Sequence, residues 1–538
     1  MFTSDAHLTV AAFTAVAAPA AFVVAAVVGA RGEHASSPRL VERCGRFATW
    51  IGVVVAAGAF LATIIDGPYE SPTIGGGGLG FGIRLDALST IMLMMISLLA
   101  VVIFRYSITY LAGDARHGMF LSRLLATLGA VELLVISGNL VTLVGAWIAT
   151  SLALHRLLVF YSDRPRAVVA ARKKFLAARA SDALLIGGAL LLYREFDTGH
   201  LGKIFDGARD AAAGGRWTTS LSIAAACLAI AAVLKSAQFP THGWLVEVME
   251  TPTPVSALLH AGILNAGPFL VLRFAYVFDA SRVATTMLIG VGAFTALFAS
   301  VALLTQPALK VGLGYSSAAH MGFTLMVCGM GIYSAALLHL VAHSFYKAHS
   351  FLSSGSVVDE ARADHVAVPR RLGHPLRIAA SAAVAAGIYL SLGVAFGIDF
   401  ADDHMVLALG AIIVLGTTQM VAAALDSAGS IVGTGIVSLM ALSVTASFFT
   451  LESGAHHLLS NSVPVGMARG VAEGILIGAV LAACIGAVVM QILEPSRGTN
   501  ARRRAFAVHL RNGLYANALF DRAVGALRLP DNTSEVAR

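Results

Sequence analysis

Three basic residues, His339, His343 and Lys347, are spaced four residues apart within the apolar stretch LLHLVAHSFYKAH. Four residues turn an α-helix by about 400°, so the three side chains drift by only about 80° and form one stripe roughly 12 Å long. Imidazole titrates near neutral pH, and burial can lower the pKa of a lysine into the same range. The spacing therefore predicts a helix face that exchanges protons through intervening water.

Five more ionisable side chains interrupt apolar stretches: Glu132, Asp182, Lys235, His260 and Lys310. A charged group in the middle of a membrane helix costs about 3 kcal/mol or more, so such residues usually have a function. Alternatively, each is a buried group whose single hydrogen bond only joins two helices. Both interpretations stay open for a lone histidine such as His260, whereas the set as a whole favours a functional path.

Prolines interrupt the chain beside two of these lysines: Pro240, Pro252 and Pro254 follow Lys235, and Pro307 precedes Lys310. A proline frees a backbone carbonyl, which membrane proteins tolerate only where protein or a wet cavity meets the freed group. Transporters place ion sites at such broken helices. The two lysines are therefore predicted to lie at helix breaks along a hydrated ion path.

The elements that position these residues are predicted to be membrane helices. Of the 538 residues, 57% are hydrophobic and only 12% are charged, against roughly 25% in soluble domains. Apolar runs of about 20 residues, long enough to cross a bilayer, recur throughout and leave no room for a soluble domain. The fifteen predicted helices, the first of them a permanent span and not a signal peptide, begin near residues 8, 47, 86, 119, 139, 176, 218, 254, 284, 309, 332, 375, 403, 429 and 467.

Charge distribution predicts the orientation. Basic clusters at 31–46, 164–174, 362–377 and 497–504 follow predicted helices 1, 5, 11 and 15, whereas loops after even-numbered helices hold Asp66, Glu70, Asp399, Asp402 and Asp403. The positive-inside rule then places the N-terminus outside and the C-terminus in the cytoplasm. We expect the protein to lie in the cell inner membrane. Residues beyond 495 are amphipathic and predict either a partner-binding helix or a helix lying on lipid headgroups.

Several function classes lack their sequence signals. Cys44, Cys227, Cys328 and Cys484 are scattered, which supports neither a disulfide framework nor a metal site in this chain. The sequence contains no phosphate-binding glycine loop, dinucleotide fingerprint, haem or iron–sulfur ligand set, or nucleophile elbow. The net charge of +7 falls in short loops, which fits topology better than nucleic-acid binding. We expect a chain without catalysis or cofactor, driven by an ion gradient or a partner.

The stretch LKSAQFPTHGWLVEVMETPTPVSALLHAG resembles the signature of the antiporter-like subunits of respiratory complex I and of Mrp-type cation/proton antiporters. The resemblance continues through ARKKFLAARASD, LLTQPALKVGLGYSSAAHMGF and LLHLVAHSFYKAHSFLSSGSV, and it covers roughly residues 85–360. It implies an all-α polytopic fold of about 14–15 transmembrane helices with two inverted five-helix repeats. In that family each repeat holds a broken helix and a central lysine, and protons follow a hydrated axis.

The resemblance also implies roles and boundaries. Lys235 matches the central lysine of the first repeat, Asp182 the aspartate of the sixth helix, and Lys310 a bridging lysine. His260 matches the histidine after the PTPVSAL motif, while His339, His343 and Lys347 match the histidine helix of the second repeat. The implied division is N-terminal helices at 1–112, repeats at 113–278 and 279–450, a last helix at 451–495 and an amphipathic tail at 496–538.

This sequence departs from the family pattern at two places. Ile148 stands where the fifth helix of the family carries a glutamate that pairs the central lysine, so Glu132 or His155 is considered as a substitute. A lysine segment expected near residues 375–430 is also absent, and this region offers only a few polar side chains: Asp426, Thr417, Thr418 and Gln419.

The length and the tail most resemble the membrane subunits of two-component DAB inorganic-carbon uptake systems. The resemblance implies a subunit conducting protons or Na⁺ that energises CO2 hydration to bicarbonate by a DabA-like zinc subunit docked on the cytoplasmic side. The zinc is expected in that partner alone. Two alternatives are a proton-pumping subunit of an NADH-quinone oxidoreductase-like or Mrp complex, and a non-conducting membrane anchor for a partner enzyme.

Overall fold

A computed structural model describes residues 14–30, 38–355, 375–398, 400, 404–428, 431–464, 466, 470–493 and 501–524. Its α-helices, in chain order, are α1 Ala17–Ala30, α2 Pro38–Asp66, α3 Ala87–Tyr110, α4 His117–Val135, α5 Leu140–Leu158, α6 Pro165–Phe196, α7 Leu201–Ala213, α8 Thr219–Lys235, α9 Gly243–Glu247, α10 Thr253–Leu258, α11 Ala266–Arg273, α12 Ala275–Asp279, α13 Arg282–Leu303, α14 Leu309–Gly329, α15 Tyr333–Leu352, α16 Pro375–Ala395, α17 His404–Ala428, α18 Ile431–Leu459, α19 Val471–Leu493, α20 Ala501–Arg511 and α21 Ala516–Val524.

The all-α membrane fold is confirmed, and a helix lies at each of the fifteen predicted places. Within the described ranges, nine helical segments are long and apolar enough to cross a membrane, and four shorter apolar helices accompany them. The remaining two of the fifteen predicted membrane helices are α14 and α15, which carry histidines and lysines in their apolar sequence. The segment Thr253–Arg273 is the most enclosed of the nine, with 94% of its apolar window buried.

Two small antiparallel hairpins occupy the glycine-rich connection between α2 and α3, which the sequence predicts only as a loop. Strand β1 Tyr69–Glu70 pairs with β4 Arg84–Leu85, and β2 Ile74–Gly76 pairs with β3 Leu79–Phe81. Gly77 and Gly78 make the tight turn with φ of 60° and 73°, a region that favours glycine. The Asn139 side chain fastens the turn by donating to the Gly78 carbonyl at 3.0 Å.

The connections separate into two ends of the molecule. At one end, the hairpin region meets the connection after α4 through the bridge Ile83–Ser137, and that connection meets the one after α6 through the bridge Asn139–His200. At the other end, the C-terminal segment contacts the first part of α6, the short helix α9 and the connection after α13. This alternation agrees with the predicted parity of the helices. Which end faces the cytoplasm stays a prediction.

Two sequence predictions are wrong in position. Lys173 and Lys174 do not lie in a basic loop, because α6 begins at Pro165 and buries both side chains. Pro307 lies in the connection between α13 and α14, so it breaks no membrane helix. Parts of the basic clusters and of the tail at 31–37, 356–374, 494–500 and 525–538, as well as Asp399, Asp402 and Asp403, lie outside the described residues. The repeat boundaries also stay predictions.

Candidate functional site

The predicted helix break after Lys235 is present. Helix α8 ends at Lys235, and the chain then turns through Ala237, whose φ of 51° lies in the left-handed region, before α9 begins at Gly243. Pro240 lies within this turn and can donate no backbone hydrogen bond. The break therefore holds the Lys235 side chain, only 6% exposed, at the end of a helix inside the protein.

The Lys235 amine is held by neutral groups of α5. Its Nζ donates to Ser151 Oγ at 2.7 Å and to the Trp147 carbonyl at 3.3 Å, and it lies 4.2 Å from the Trp147 ring centre. No carboxylate of the described residues is paired with this amine. Ile148, at the position of the family glutamate, is half-buried beside Trp147. A serine, a carbonyl and an indole therefore take the place of the expected carboxylate.

A second buried lysine shares the same serine. Lys174 is 4% exposed, and its Nζ donates to the Ser151 carbonyl at 2.8 Å. Asp182 lies two turns farther along α6, with its Oδ2 2.6 Å from Arg179 Nη2, and its charge acts on both lysines. Lys174 is not among the predicted site residues, although its spacing of eight residues from Asp182 places both on one helix face.

Lys347 of α15 has a closely similar setting. Its side chain is fully buried, and Nζ donates to Ser316 Oγ at 2.7 Å and to the Leu313 carbonyl at 3.4 Å. Both of these partners belong to α14. The chain thus contains two buried amines, each bonded to one serine hydroxyl and one backbone carbonyl of a neighbouring helix.

Imidazoles surround the second amine. His339 and His343 lie on α15 as the spacing predicts, and His320 of α14 joins them. His320 Nδ1 lies 3.1 Å from His339 Nε2, and the His320 and His343 ring centres are 4.8 Å apart. Neither ring nitrogen of His343 has a hydrogen-bond partner within the described structure. The sequence analysis missed His320, whose only signal was a histidine in the middle of an apolar helix.

His260 is fully buried against α15, and the charge of Lys347 acts on it. It occupies a π-turn, Leu259–Ile263, a local widening that often marks functional sites in helices, and its ring stacks on Phe351 of α15 at 4.3 Å. Leu259 and Ile263 also line a cavity of about 10 Å³ with Lys174 and Lys235. That volume is close to the smallest that holds one water.

Two predicted site residues, Lys310 and Glu132, are bonded to neither amine and have other partners. Lys310 is half-buried in the first turn of α14, where it donates to Thr253 Oγ1 at 3.1 Å, so the prediction of a mid-span lysine is wrong.

Glu132 of α4 is fully buried and accepts from Ser97 Oγ at 2.8 Å. The structure does not bring Glu132 to Lys235, and it places His155 against Phe175, with ring centres 5.1 Å apart. Neither side chain replaces the family glutamate.

A cluster of ion pairs closes the end of the molecule that carries the hairpins. Asp86 Oδ2 lies 2.6 Å from both Arg273 Nη1 and Arg84 Nε, while Glu70 pairs with Arg84 and lies 2.9 Å from His200 Nδ1. Burial alone would raise the pKa of Asp86, but the two guanidinium groups hold it well below its usual range. Burial likewise opposes the ionisation of Glu70, yet His200 and Arg84 keep the pKa of Glu70 below its usual value.

The C-terminal helix closes the other end. Lys173 Nζ is fully buried, 2.5 Å from Glu247 Oε2 and paired with Asp521 of α21, while Asn517 of α21 bonds to Glu247. Gly243 permits this approach, because a Cβ there would overlap the Asn517 side chain. Helix α21 thus packs on its own chain beside the Lys235 break.

Comparisons with known proteins identify the family of the chain. Residues 137–411 match the family described as NADH:quinone oxidoreductase/Mrp antiporter, TM, and residues 73–121 match NADH-Ubiquinone oxidoreductase (complex I), chain 5 N-terminus. The chain is 36% identical over 458 residues to the probable inorganic carbon transporter subunit DabB2 of Halothiobacillus neapolitanus, covering 82% of this chain and 80% of that protein.

A second relative matches over a shorter span. The probable inorganic carbon transporter subunit DabB of Hydrogenovibrio crunogenus is 44% identical over 281 residues, which are 52% of this chain and 54% of that protein. The solved Mrp complex from Dietzia sp. DQ12-45-1b has the same fold, with a TM-score of 0.62 and 23% identity over 97% of this chain and 61% of that one. The chain therefore belongs to the antiporter-like membrane subunits of the NADH:quinone oxidoreductase/Mrp antiporter family.

Proposed function

We propose that this chain conducts protons across the cell inner membrane as the membrane subunit of an inorganic-carbon uptake system. The observation that carries the proposal is the pair of buried amines, Lys235 and Lys347, neither of which is paired with a carboxylate in the described structure. Burying an ammonium without a counter-ion costs several kcal/mol, which a passive anchor has no reason to retain. An amine that gains and releases a proton accounts for that cost.

The choice of inorganic carbon is supported by two relatives named as probable inorganic carbon transporter subunits. In this proposal the chain carries out no catalysis. A DabA-like zinc subunit hydrates CO2 to bicarbonate, and the proton flux makes that step one-way. The N-terminus lies outside and the C-terminus lies in the cytoplasm, where the partner binds beside α21. Leu519 is 65% exposed on this helix and is available for that contact.

A second candidate is a pumping subunit of a quinone-reducing or Mrp-type complex, which the family match itself favours. The two candidates differ in their partners. Affinity purification of the native complex should recover one large zinc-containing subunit if the chain serves carbon uptake. Recovery of several redox or antiporter subunits would favour the second candidate.

Proton conduction is tested by measuring the uptake of labelled inorganic carbon. The cells used are ones that need this chain and its partner for growth in air. Lys235→Met should lower uptake to the background, and a protonophore should do the same to the wild type. Lys203→Met is the matched control, because Lys203 is exposed on α7. Normal uptake by Lys235→Met, with normal expression and complex assembly, would contradict proton conduction through Lys235.

A further inference from the structure

Three imidazoles from two helices converge beside Lys347. His320 comes from α14, whereas His339 and His343 come from successive turns of α15. A ring nitrogen of each lies within 4.8 Å of those of the other two, and the closest pair is 3.1 Å apart. In a tetrahedral zinc site with bonds of about 2.0–2.1 Å, ligand nitrogens lie about 3.4 Å apart. The widest pair would have to approach by no more than about 1.4 Å to reach that separation.

Hydrogen bonds within the described structure do not account for the position of the His343 imidazole. The ring is buried, 3% exposed, and both of its nitrogens lack a partner within the described structure. Buried polar atoms normally have a partner, so an unpaired one indicates a ligand or water that the protein atoms do not supply. A metal ion bound by His320, His339 and His343 would accept one lone pair from each ring.

The surroundings leave one side of the cluster open. His320 and His339 line a cavity of about 410 Å³ whose other walls are largely apolar, including Phe323 and Met326. This cavity has room for a water or a small anion as the fourth ligand of a tetrahedral ion. A donor set of three imidazoles favours zinc, copper(II) or nickel over magnesium and calcium, which prefer oxygen.

The charges near the cluster limit the bound species. The groups whose charges act on His343 are basic, namely His320, His339, His260 and Lys347. A bare divalent ion would therefore add positive charge to a basic region. Hydroxide or chloride in the fourth position would reduce that charge, so we expect the bound species to carry such a ligand.

We propose that His320, His339 and His343 bind one transition-metal ion of the zinc and copper(II) class. We further propose that the bound ion blocks proton transfer through these rings. The first statement stands on the cluster alone, whereas the second rests on the proposed function. Zinc would then act as an inhibitor of this chain, distinct from the zinc expected in the partner subunit.

Metal binding is tested with the full chain purified without a polyhistidine tag and stripped with a chelator. Titration with Zn²⁺ should find one tight equivalent in the wild type. His343→Gln and His320→Gln should weaken binding at least about tenfold. His155→Gln is the matched control, because His155 also lies in a membrane helix but outside the cluster. Equal zinc affinity in all four proteins would overturn the site.

If a variant fails to fold, electron paramagnetic resonance of the wild-type protein loaded with Cu²⁺ still tests the site. The wild-type protein loaded with one Cu²⁺ should show coupling to imidazole nitrogens in its electron paramagnetic resonance spectrum. A spectrum without nitrogen coupling would overturn the site.

Lys347→Met separates the two proposals, because it should lose uptake yet still bind Zn²⁺ at least as tightly as the wild type does, since it removes a positive charge beside the cluster. Zinc that binds the cluster without slowing wild-type uptake would overturn the blocking role alone. Normal uptake by Lys347→Met together with intact zinc binding would contradict proton transfer through Lys347 and leave the metal site standing.

Discussion

The Lys235 and Lys347 sites hold their amines in the same way and differ in everything around them. Each amine donates at 2.7 Å to a serine hydroxyl and more weakly to a backbone carbonyl of a neighbouring helix. Around Lys235 lie a second lysine, Lys174, and the charged pair of Arg179 and Asp182. Around Lys347 lie imidazoles, and no carboxylate acts on them among the described residues.

This difference indicates that the surroundings control the protonation of the buried amine in a different way at each site. In the first half, the Asp182 carboxylate and the Arg179 guanidinium act on Lys235 with opposite charges. In the second half, the neighbours are imidazole rings, a type of side chain that can accept a proton from an amine such as Lys347 and pass it on. We infer that the amine and its serine are the common part, and that the neighbours decide how each half responds to mutation.

The largest expected effect is loss of either amine. Lys347→Met should lower partner-dependent uptake by about 100-fold or more, as removal of an essential proton-transfer group does, and to the same extent as Lys235→Met. Labelled-carbon uptake at matched expression measures both, with Lys203→Met as the control. An inactive Lys235→Met beside an active Lys347→Met would show that the path uses only the first half and would break the comparison.

Replacing one neighbour should affect one site alone. Asp182→Asn removes the negative charge that acts on Lys235 and Lys174, and we expect uptake to fall about tenfold. Zinc affinity at the histidine cluster should stay unchanged, because Asp182 is not among the groups acting on it. Asp206→Asn is a suitable control, since Asp206 is 66% exposed. A changed zinc affinity in Asp182→Asn would mean that the two sites are coupled.

The sequence predicted the helices well and the partners of each site poorly. Apolar runs and helical spacing are local properties, so they located the break after Lys235 and the stripe from His339 to Lys347. Contacts between helices are not local. For that reason Ser151, Lys174 and His320 were missed, and Glu132 was considered as a partner of Lys235 although it bonds to Ser97. The C-terminal helix was expected to bind a partner or lipid, yet one face of it packs on Lys173.

The shared serine gives a smaller effect that tests the likeness directly. Ser151→Ala and Ser316→Ala each leave a buried amine short of its best acceptor, which should cost roughly 1–2 kcal/mol of unfolding free energy. Thermal unfolding of the purified variants in detergent measures the loss, and serine-to-threonine variants should restore it in part. Ser350→Ala, whose hydroxyl is exposed, serves as control. A clear loss in only one alanine variant would show that the two amines are held differently.

The smallest expected effect concerns the ion-pair cluster at the end of the molecule that carries the hairpins. Glu70 belongs to the ion-pair cluster of the first half, facing Arg84 and His200 with Asp86 beside them. Because these partners keep the pKa of Glu70 below its usual value, the carboxylate stabilises the fold above the usual glutamate pKa, and this stabilisation is lost as the pH falls through the lower folded value.

Glu70→Gln should therefore cost about 1 kcal/mol near neutral pH, and its thermal stability should fall less than that of the wild type between about pH 7 and about pH 4. Glu195→Gln, at an exposed position on α6, is the control. Uptake at neutral pH should persist in Glu70→Gln, because the cluster lies at the end of the first half, apart from both amines. Loss of uptake at normal stability would instead extend the path from Lys235 to this end of the chain.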